Sequence, residues 1–364
     1  MTQREAQILS WIMEDPMISQ EDLAQRAGIT RSSVAVHISN LMKKGYIAGR
    51  GYILSAGGYV AVAGAVNVDI GGRSAGPLVG RDSNPGTVTV SMGGVGRNIA
   101  HNLRLLGTRV SLLTALGEDP HAGQVAESCA RLGIDLSRAL HVPGGTTSTY
   151  LFLSDETGDL ALAVSDMGIY EALTPAYFAR HLPFLNGADL VVADANLTRE
   201  SLHYLAEHCT APLLVDPVST VKAEKIREVL GKIHTLKPNR LEAEHLSGVK
   251  ITDRASARQA ARRLLATGLK RVFISLGQDG VFAADETGDV WLPCCPARMR
   301  SATGAGDAFA AALAWSFLSG KDLTDSAKAA NAAAAIAVEG EETINPALTP
   351  EGVQARMEQQ EEAL

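Results

Sequence analysis

The 364-residue sequence predicts an α/β protein, a doubly wound sheet with a small β lid over residues 58–364, preceded by a small helical domain over residues 1–57. Three observations predict it. Short apolar runs without polar alternation, such as residues 59–66 and 190–193, have the pattern of strands buried on both faces. These runs alternate with helical segments along the chain. A small-residue turn beginning at Ser301 then leads into an alanine-rich apolar helix.

Composition sets the outer bounds. The length implies two or more units and a large buried core. A net charge of −7 without long single-sign runs excludes general nucleic-acid coating and confines any basic face to a local patch. Cys129, Cys209, Cys294 and Cys295 lack CxxC zinc spacing, and the vicinal pair has no easy disulfide geometry, so inert thiols in a reducing compartment are expected. Residues 1–5 lack a signal-peptide core and no run reaches the length of a membrane span. A cytoplasmic protein is expected.

In the first domain, Ile8, Leu9, Trp11, Ile12 and Met13 follow a helical pattern that Pro16 ends. Ser19 to Asp22 fit a capping start for a short helix closed by Gly28, and Thr30 caps a third helix running to about Lys44, with Val34, Ile38 and Leu41 inward and Gly45 as its stop. Residues 46–54 alternate around Gly49 and Gly51 as a small hairpin does, and residues 55–58 have the composition of a linker. This order resembles the winged helix-turn-helix units of bacterial regulators. It implies possible DNA contact through residues 1–55, with Arg31, Ser32, Ser33, Ala35 or Val36, His37 and Asn40 facing the major groove and Lys43, Lys44 and Arg50 reaching phosphates. A near balance of acidic and basic residues leaves a protein-contact or purely structural module as the alternative.

The second domain opens with the run at 59–66, followed by Asn67-Val68-Asp69. A carboxylate just past a central strand lies where open α/β sheets bind ligands, although Asp69 also suits a turn. Asp82-Ser83-Asn84-Pro85-Gly86, a strand at 87–92 and the glycine-rich Gly93-Gly94-Val95-Gly96-Arg97-Asn98 lead into an amphipathic helix at 99–107. The glycine spacing is not the dinucleotide fingerprint; Gly93 and Gly94 suit a hinge or a close approach to substrate. Strand 109–116, helix 124–132 and a hairpin at 146–154 and 160–164 follow, with Asp166 just beyond. The hairpin is expected to join the strand at 87–92, giving lid strands at approximately 70–92 and 146–168. Strands at 213–215, 233–236 and 271–275 complete the alternation, and no GxxxxGK[ST] sequence occurs.

In the turn at 301–307, Gly304 and Gly306 lack a Cβ, so the backbone can bring its amides, including that of Ala305, against an anion at a helix N-terminus. Asp307 in the first helical turn has two readings, a helix-capping carboxylate or a proton acceptor beside a phosphate.

Taken in order, Asn67-Val68-Asp69, the 93–98 segment, Lys237-Pro238-Asn239-Arg240-Leu241-Glu242, Ser275-Leu276-Gly277-Gln278-Asp279-Gly280 and Thr303-Gly304-Ala305-Gly306-Asp307 resemble the PfkB, or ribokinase-type, sugar and nucleoside kinases across residues 58–345. The resemblance implies a ribokinase-like sheet, ATP and Mg2+ as cofactors, Asp307 as base, and Gly304, Ala305 and Gly306 as anion hole. It implies Asn239 and Glu242 as organisers of magnesium, largely through water, and Ser275, Gly277, Gly280 and Asn331 as lining of the ATP pocket. Asn67, Asp69, Gly93, Gly94 and Asn98 would hold substrate hydroxyls, and Asp166 would close on the base. Within the family the motifs most resemble pseudouridine kinases, on residues 82–86, 93–98, Asp166-Met167 and 236–244; another nucleoside such as inosine or guanosine, or a sugar, is the alternative acceptor. Val95 stands where ribokinases usually carry Lys, which points away from free ribose. Ser301 stands where they commonly have an Asp that helps bind a monovalent cation, so the resemblance does not carry potassium activation over. A nucleoside-sensing, DNA-binding regulator is the alternative of another class. An exposed lid edge and a winged helix both favour a homodimer.

Overall fold

The computed structural model describes residues 2–15, 18–44, 46–49, 53–54 and 58–362. It divides into two compact units, Met1–Gly58 and Tyr59–Leu364. In the first, α1 (Gln3–Glu14) starts at Thr2 with a capping box to Glu5, α2 (Gln20–Ala27) is capped by Ser19 and stopped by left-handed Gly28, and α3 (Arg31–Lys43) is capped by Thr30. β1 (Ile47–Gly49) and β2 (Ile53–Leu54) form the antiparallel wing. Ile8, Ile12, Leu23, Val34, Ile38, Leu41 and Ile47 make the core. Arg31, Ser32, Ala35 and Val36 on α3 face solvent, with Ser33, His37 and Asn40 half-buried. Lys44 departs from expectation: rather than standing free for phosphates, its Nζ lies 2.7 Å from Glu5 Oε2. That bond, with the Thr2 backbone N–H, holds the Glu5 carboxyl down at about 2. Pro16, Gly45, Arg50, residues 55–57 and the side chain of Lys43 lie outside the described residues.

In the second unit β3 (Val60–Ala63) is followed by β4 (Asn67–Ser74), β5 (Gly86–Gly93), α4 (Val95–Leu105) and β6 (Val110–Leu113). Then come β7 (Ala115–Leu116), α5 (Pro120–Leu132), β8 (Leu140–His141), β9 (Thr149–Ser154), β10 (Leu160–Asp166), α6 (Pro175–Asn186), β11 (Leu190–Asp194), α7 (Arg199–His208), β12 (Leu213–Asp216) and α8 (Thr220–Ala223). The chain finishes with β13 (Thr235–Leu236), α9 (Arg240–Ser247), α10 (Arg254–Leu265), β14 (Arg271–Ser275), β15 (Val281–Asp285), β16 (Gly288–Leu292), α11 (Ala305–Leu318), α12 (Leu323–Val338) and α13 (Pro350–Glu362). The main sheet has the order β16-β15-β14-β13-β12-β11-β3-β6, parallel except for the antiparallel edge made by β15 and β16. Alternate residues of one strand feed two cores. Val60 and Val62 pack with α4, α11 and α12, whereas Ala61 and Ala63 pack with α6, α7 and α10. This is the ribokinase-like mixed α/β sheet that the motifs imply.

The lid is a second sheet with the order β10-β9-β4-β5. The hairpin and the strand at 86–93 share this one sheet, as expected, but they are not neighbours in it. β9 runs parallel to β4, and β4 separates it from β5, so the hairpin does not pair with the strand at 86–93. Asn67 to Asp69 likewise belong to a strand rather than a turn. The run Asp69-Ile70-Gly71-Gly72 has weak strand propensity of its own, and pairing on both sides holds it extended.

Candidate functional site

The parallel strands of the main sheet end along one edge, and the residues at or after those ends carry the polar chemistry: Asp69 on β4, which follows β3, Asp194 at the end of β11, Asp216 at the end of β12, Lys237 directly after β13 and Ser275 at the end of β14. The N-terminus of α11 meets them, and Asp216, Lys237, Asn239, Ser275, Gly306 and Asp307 share one cleft.

Gly304 sits left-handed at φ +84°, and a Cβ there would lie 2.0 Å from the Thr343 carbonyl oxygen, so only glycine fits this turn. No side chain caps α11. Its first amides, from Ala305 onward, therefore face the cleft without a side-chain acceptor, at the positive end of the helix. Asp307 reaches away from its own helix: its Oδ2 accepts from Asn98 Nδ2 on α4 at 2.8 Å. Burial and then the like charge of Asp216 push its carboxyl up to about 7, while the Asn98 bond and Lys237 pull it back. A carboxyl poised near neutrality beside an open amide cradle can accept a proton from an attacking hydroxyl while the cradle receives an anion.

On the lid, Asp69 faces Ser91 and its carboxylate lies over Gly93, where a Cβ would come within 1.9 Å of Oδ2. Burial raises its carboxyl to about 6, offset in part by Arg97. Gly94 caps α4 with no side-chain bond. The Ser148 hydroxyl lies 2.7 Å from Asn67 Oδ1 and 2.8 Å from the Asp166 carbonyl oxygen, which ties β4 to the end of β10, and Asp166 itself is exposed.

Asn239 and Glu242 form the capping box of α9. Glu242 Oε2 accepts the Asn239 backbone N–H and Oε1 accepts its side-chain amide, each at 2.8 Å. Burial raises the buried Glu242 carboxyl. Ser275 and Gly277 line the same cleft. Gly280 closes the turn after Gly277, donating to the Gly277 carbonyl at 3.0 Å and accepting the Leu276 N–H at 2.8 Å, and Asn331 on α12 donates to the Pro293 carbonyl at 2.7 Å and accepts the Cys295 N–H at 3.4 Å. Among the described residues no three His, Cys, Asp or Glu side chains gather into a metal cage. The donor set, one carboxylate with lone pairs to spare beside an anion cradle, fits a magnesium ion held mainly by phosphate oxygens and water. Among the cleft residues that escaped sequence reasoning as site residues are Asp216 and Lys237, although Asp216 ends the parallel strand β12 and Lys237 directly follows β13, where such sheets gather ligands.

The comparisons with known proteins agree with this geometry. The pfkB family carbohydrate kinase model matches residues 58–350, and a winged helix-turn-helix DNA-binding model matches residues 1–48. The uncharacterised sugar kinase YeiI of Escherichia coli K12 is 40% identical over 353 residues, covering 96% of this chain and 97% of that protein. The pseudouridine kinase of the same organism is 40% identical over 293 residues, covering 80% of this chain and 94% of its own. The solved carbohydrate kinase from Agrobacterium tumefaciens superposes with a TM-score of 0.73 at 28% identity, over 83% of this chain and 97% of that one. The chain belongs to the pfkB family of carbohydrate kinases, phosphotransferases with an alcohol acceptor, and carries a winged helix-turn-helix domain at its N-terminus.

Proposed function

We propose that the protein is an ATP- and magnesium-dependent nucleoside kinase that transfers the γ-phosphoryl group to the 5′-hydroxyl of pseudouridine, giving pseudouridine 5′-phosphate. The observation that carries the chemistry is the Asn98–Asp307 hydrogen bond beside the uncapped start of α11. It supports Asp307 as a base that lies between Asn98 on α4 and the start of α11. Asp69 and Asn98 hold the ribose, Asp166 on the lid closes on the base, and Asp307 takes the hydroxyl proton while the amides of Ala305 and Gly306 receive the phosphoryl oxygens. Magnesium beside Asn239 and Glu242 supplies charge neutralisation for the phosphates. Likeness to a pseudouridine kinase at 40% identity favours this acceptor.

A sugar acceptor is the second reading, favoured by the equally similar sugar kinase, whose match extends over the first unit as well. Initial rates with ATP across a panel of nucleosides and sugars decide between them, and a hexose turning over as well as pseudouridine would remove the nucleoside reading. ATP as donor suits a cytoplasmic protein, and no helix among the described residues is long and apolar enough to cross a membrane.

Two partner readings accompany the kinase. The lid face that carries Asp69 also carries Ser91, Tyr150 and Ser165, whereas the opposite face presents Val88, Val90, Leu151, Leu153, Leu162 and Val164, all exposed. An apolar face of this extent suits pairing with a second copy. The outward face of α3 suits DNA, and a mobility-shift assay with and without nucleoside tests that partner. Absence of specific affinity in both states rejects it.

A further inference from the structure

Asp216 and Lys237 have no part in the transfer described above, yet they sit at its centre. Their side chains are only 5% and 7% exposed, and Lys237 Nζ lies 2.8 Å from Asp216 Oδ2. The other oxygen of Asp216 accepts the Val218 N–H at 2.8 Å. Val218 is the middle of a tight turn in which Ser219 N–H donates to the Pro217 carbonyl at 2.7 Å, and its φ of +66° is one that a β-branched residue seldom adopts. This turn aims Asp216 at Lys237. The lysine in turn donates to the Gly306 carbonyl at 3.3 Å, reaching the second residue of α11, whose amides form the cradle.

A buried ion pair is a weak source of stability, because desolvation offsets most of its attraction and an apolar pair of like volume often serves as well. Contact with Gly306 supplies another role. We propose that Lys237, held by Asp216, is a positioning residue for phosphoryl transfer: it fixes the first turn of α11 through the Gly306 carbonyl and sets an immobile positive charge behind the amide cradle. The proposal rests on the kinase reading of the site. The Asp216 carboxylate against the ammonium supplies its counter-charge inside the buried cleft. A fixed charge that needs no reorganisation during reaction stabilises the transition state more than the bound substrates.

The test compares Lys237→Met, Asp216→Asn and the double variant. ADP release from ATP is followed with pseudouridine and the acceptor panel and, more slowly, with water as acceptor, so a wrong choice of nucleoside leaves the test of Lys237 intact. Lys237→Met and the double variant are expected to lose about 10²-fold in kcat, with KM for ATP changed by less than about threefold. Asp216→Asn, whose amide oxygen still accepts from Lys237, is expected to lose less than about tenfold. Asp307 is faced by Lys237, Asp216 and Asp194 from the strand ends and by Asn98 from α4. Losing the lysine alone therefore moves the acidic limb of the kcat profile to higher pH. The double variant does not leave Asp216 buried as a carboxylate without its cation and carries the comparison even where Lys237→Met fails to fold. Wild-type kcat in the double variant would show that Lys237 only neutralises Asp216. Asp216→Asn as slow as the double would assign the effect to the carboxylate, and either result overturns the proposal.

Discussion

Replacing Asp307 with Asn removes the group proposed to accept the hydroxyl proton while sparing the rest of the site. The amide oxygen can still accept from Asn98 Nδ2, now 2.8 Å from Oδ2, and the Gly304 turn and the cradle amides are untouched. General-base catalysis contributes about 10²–10⁴ in rate. At about 1.36 kcal/mol per decade this is roughly 3–5 kcal/mol of transition-state stabilisation, so kcat falls by about two to four orders of magnitude, with KM for both substrates within about threefold. A coupled assay of ADP release reads both. In the parent protein the same carboxyl, at about 7, must lose its proton before it can act. kcat therefore falls with decreasing pH through an acidic limb near 7, and that limb disappears in the variant. Stability moves the other way. The carboxyl is raised above its unfolded value, so ionising it in the fold costs stability between roughly pH 4 and 7 and above. The variant is expected to melt higher than the parent at pH 8, a gain that fades as pH falls toward 4. Turnover within about tenfold of the parent would refute Asp307 as the base.

Asp69→Asn removes the charge proposed to receive acceptor hydroxyls; KM for the acceptor should rise about tenfold to a hundredfold while KM for ATP stays put, as steady-state kinetics will show. Glu242→Gln keeps the size of the capping box but loses its charge, so the magnesium concentration for half-maximal rate should rise in a metal titration, with about 1 kcal/mol of stability lost in a denaturant melt. Leu162→Glu places a charge in the apolar lid face, and light scattering should show the parent as a dimer and the variant as a monomer. A monomeric parent would remove the dimer reading.

The buried sheet was legible because its strands, such as the wholly buried run at 190–194, have no polar alternation to obscure them. The first unit was legible because its caps are local: Ser19, Gly28 and Thr30 act within four residues of their own positions. The lid was less so. β4 carries Gly71 and Gly72 and owes its strand geometry to β5, which follows it after the loop at 75–85, and to β9, which lies far along the chain. The edge strands β15 and β16 went unread beyond the turn at Gly280. Within the site, Gly304 and Asp307 stood out by spacing, because an anion cradle is built from consecutive residues. The contacts from Asn98 to Asp307 and from Lys237 to Asp216 and Gly306 join distant parts of the chain, so no local pattern announces them.

The central claim is transfer from ATP to a nucleoside 5′-hydroxyl, and the most direct measurement is to incubate the protein with ATP, magnesium and pseudouridine and locate the new phosphate by phosphorus NMR. The account predicts a phosphomonoester coupled to the 5′-methylene protons, formed faster than on uridine, inosine, ribose or a hexose. Phosphate found only on a sugar, or on no nucleoside at all, would contradict it.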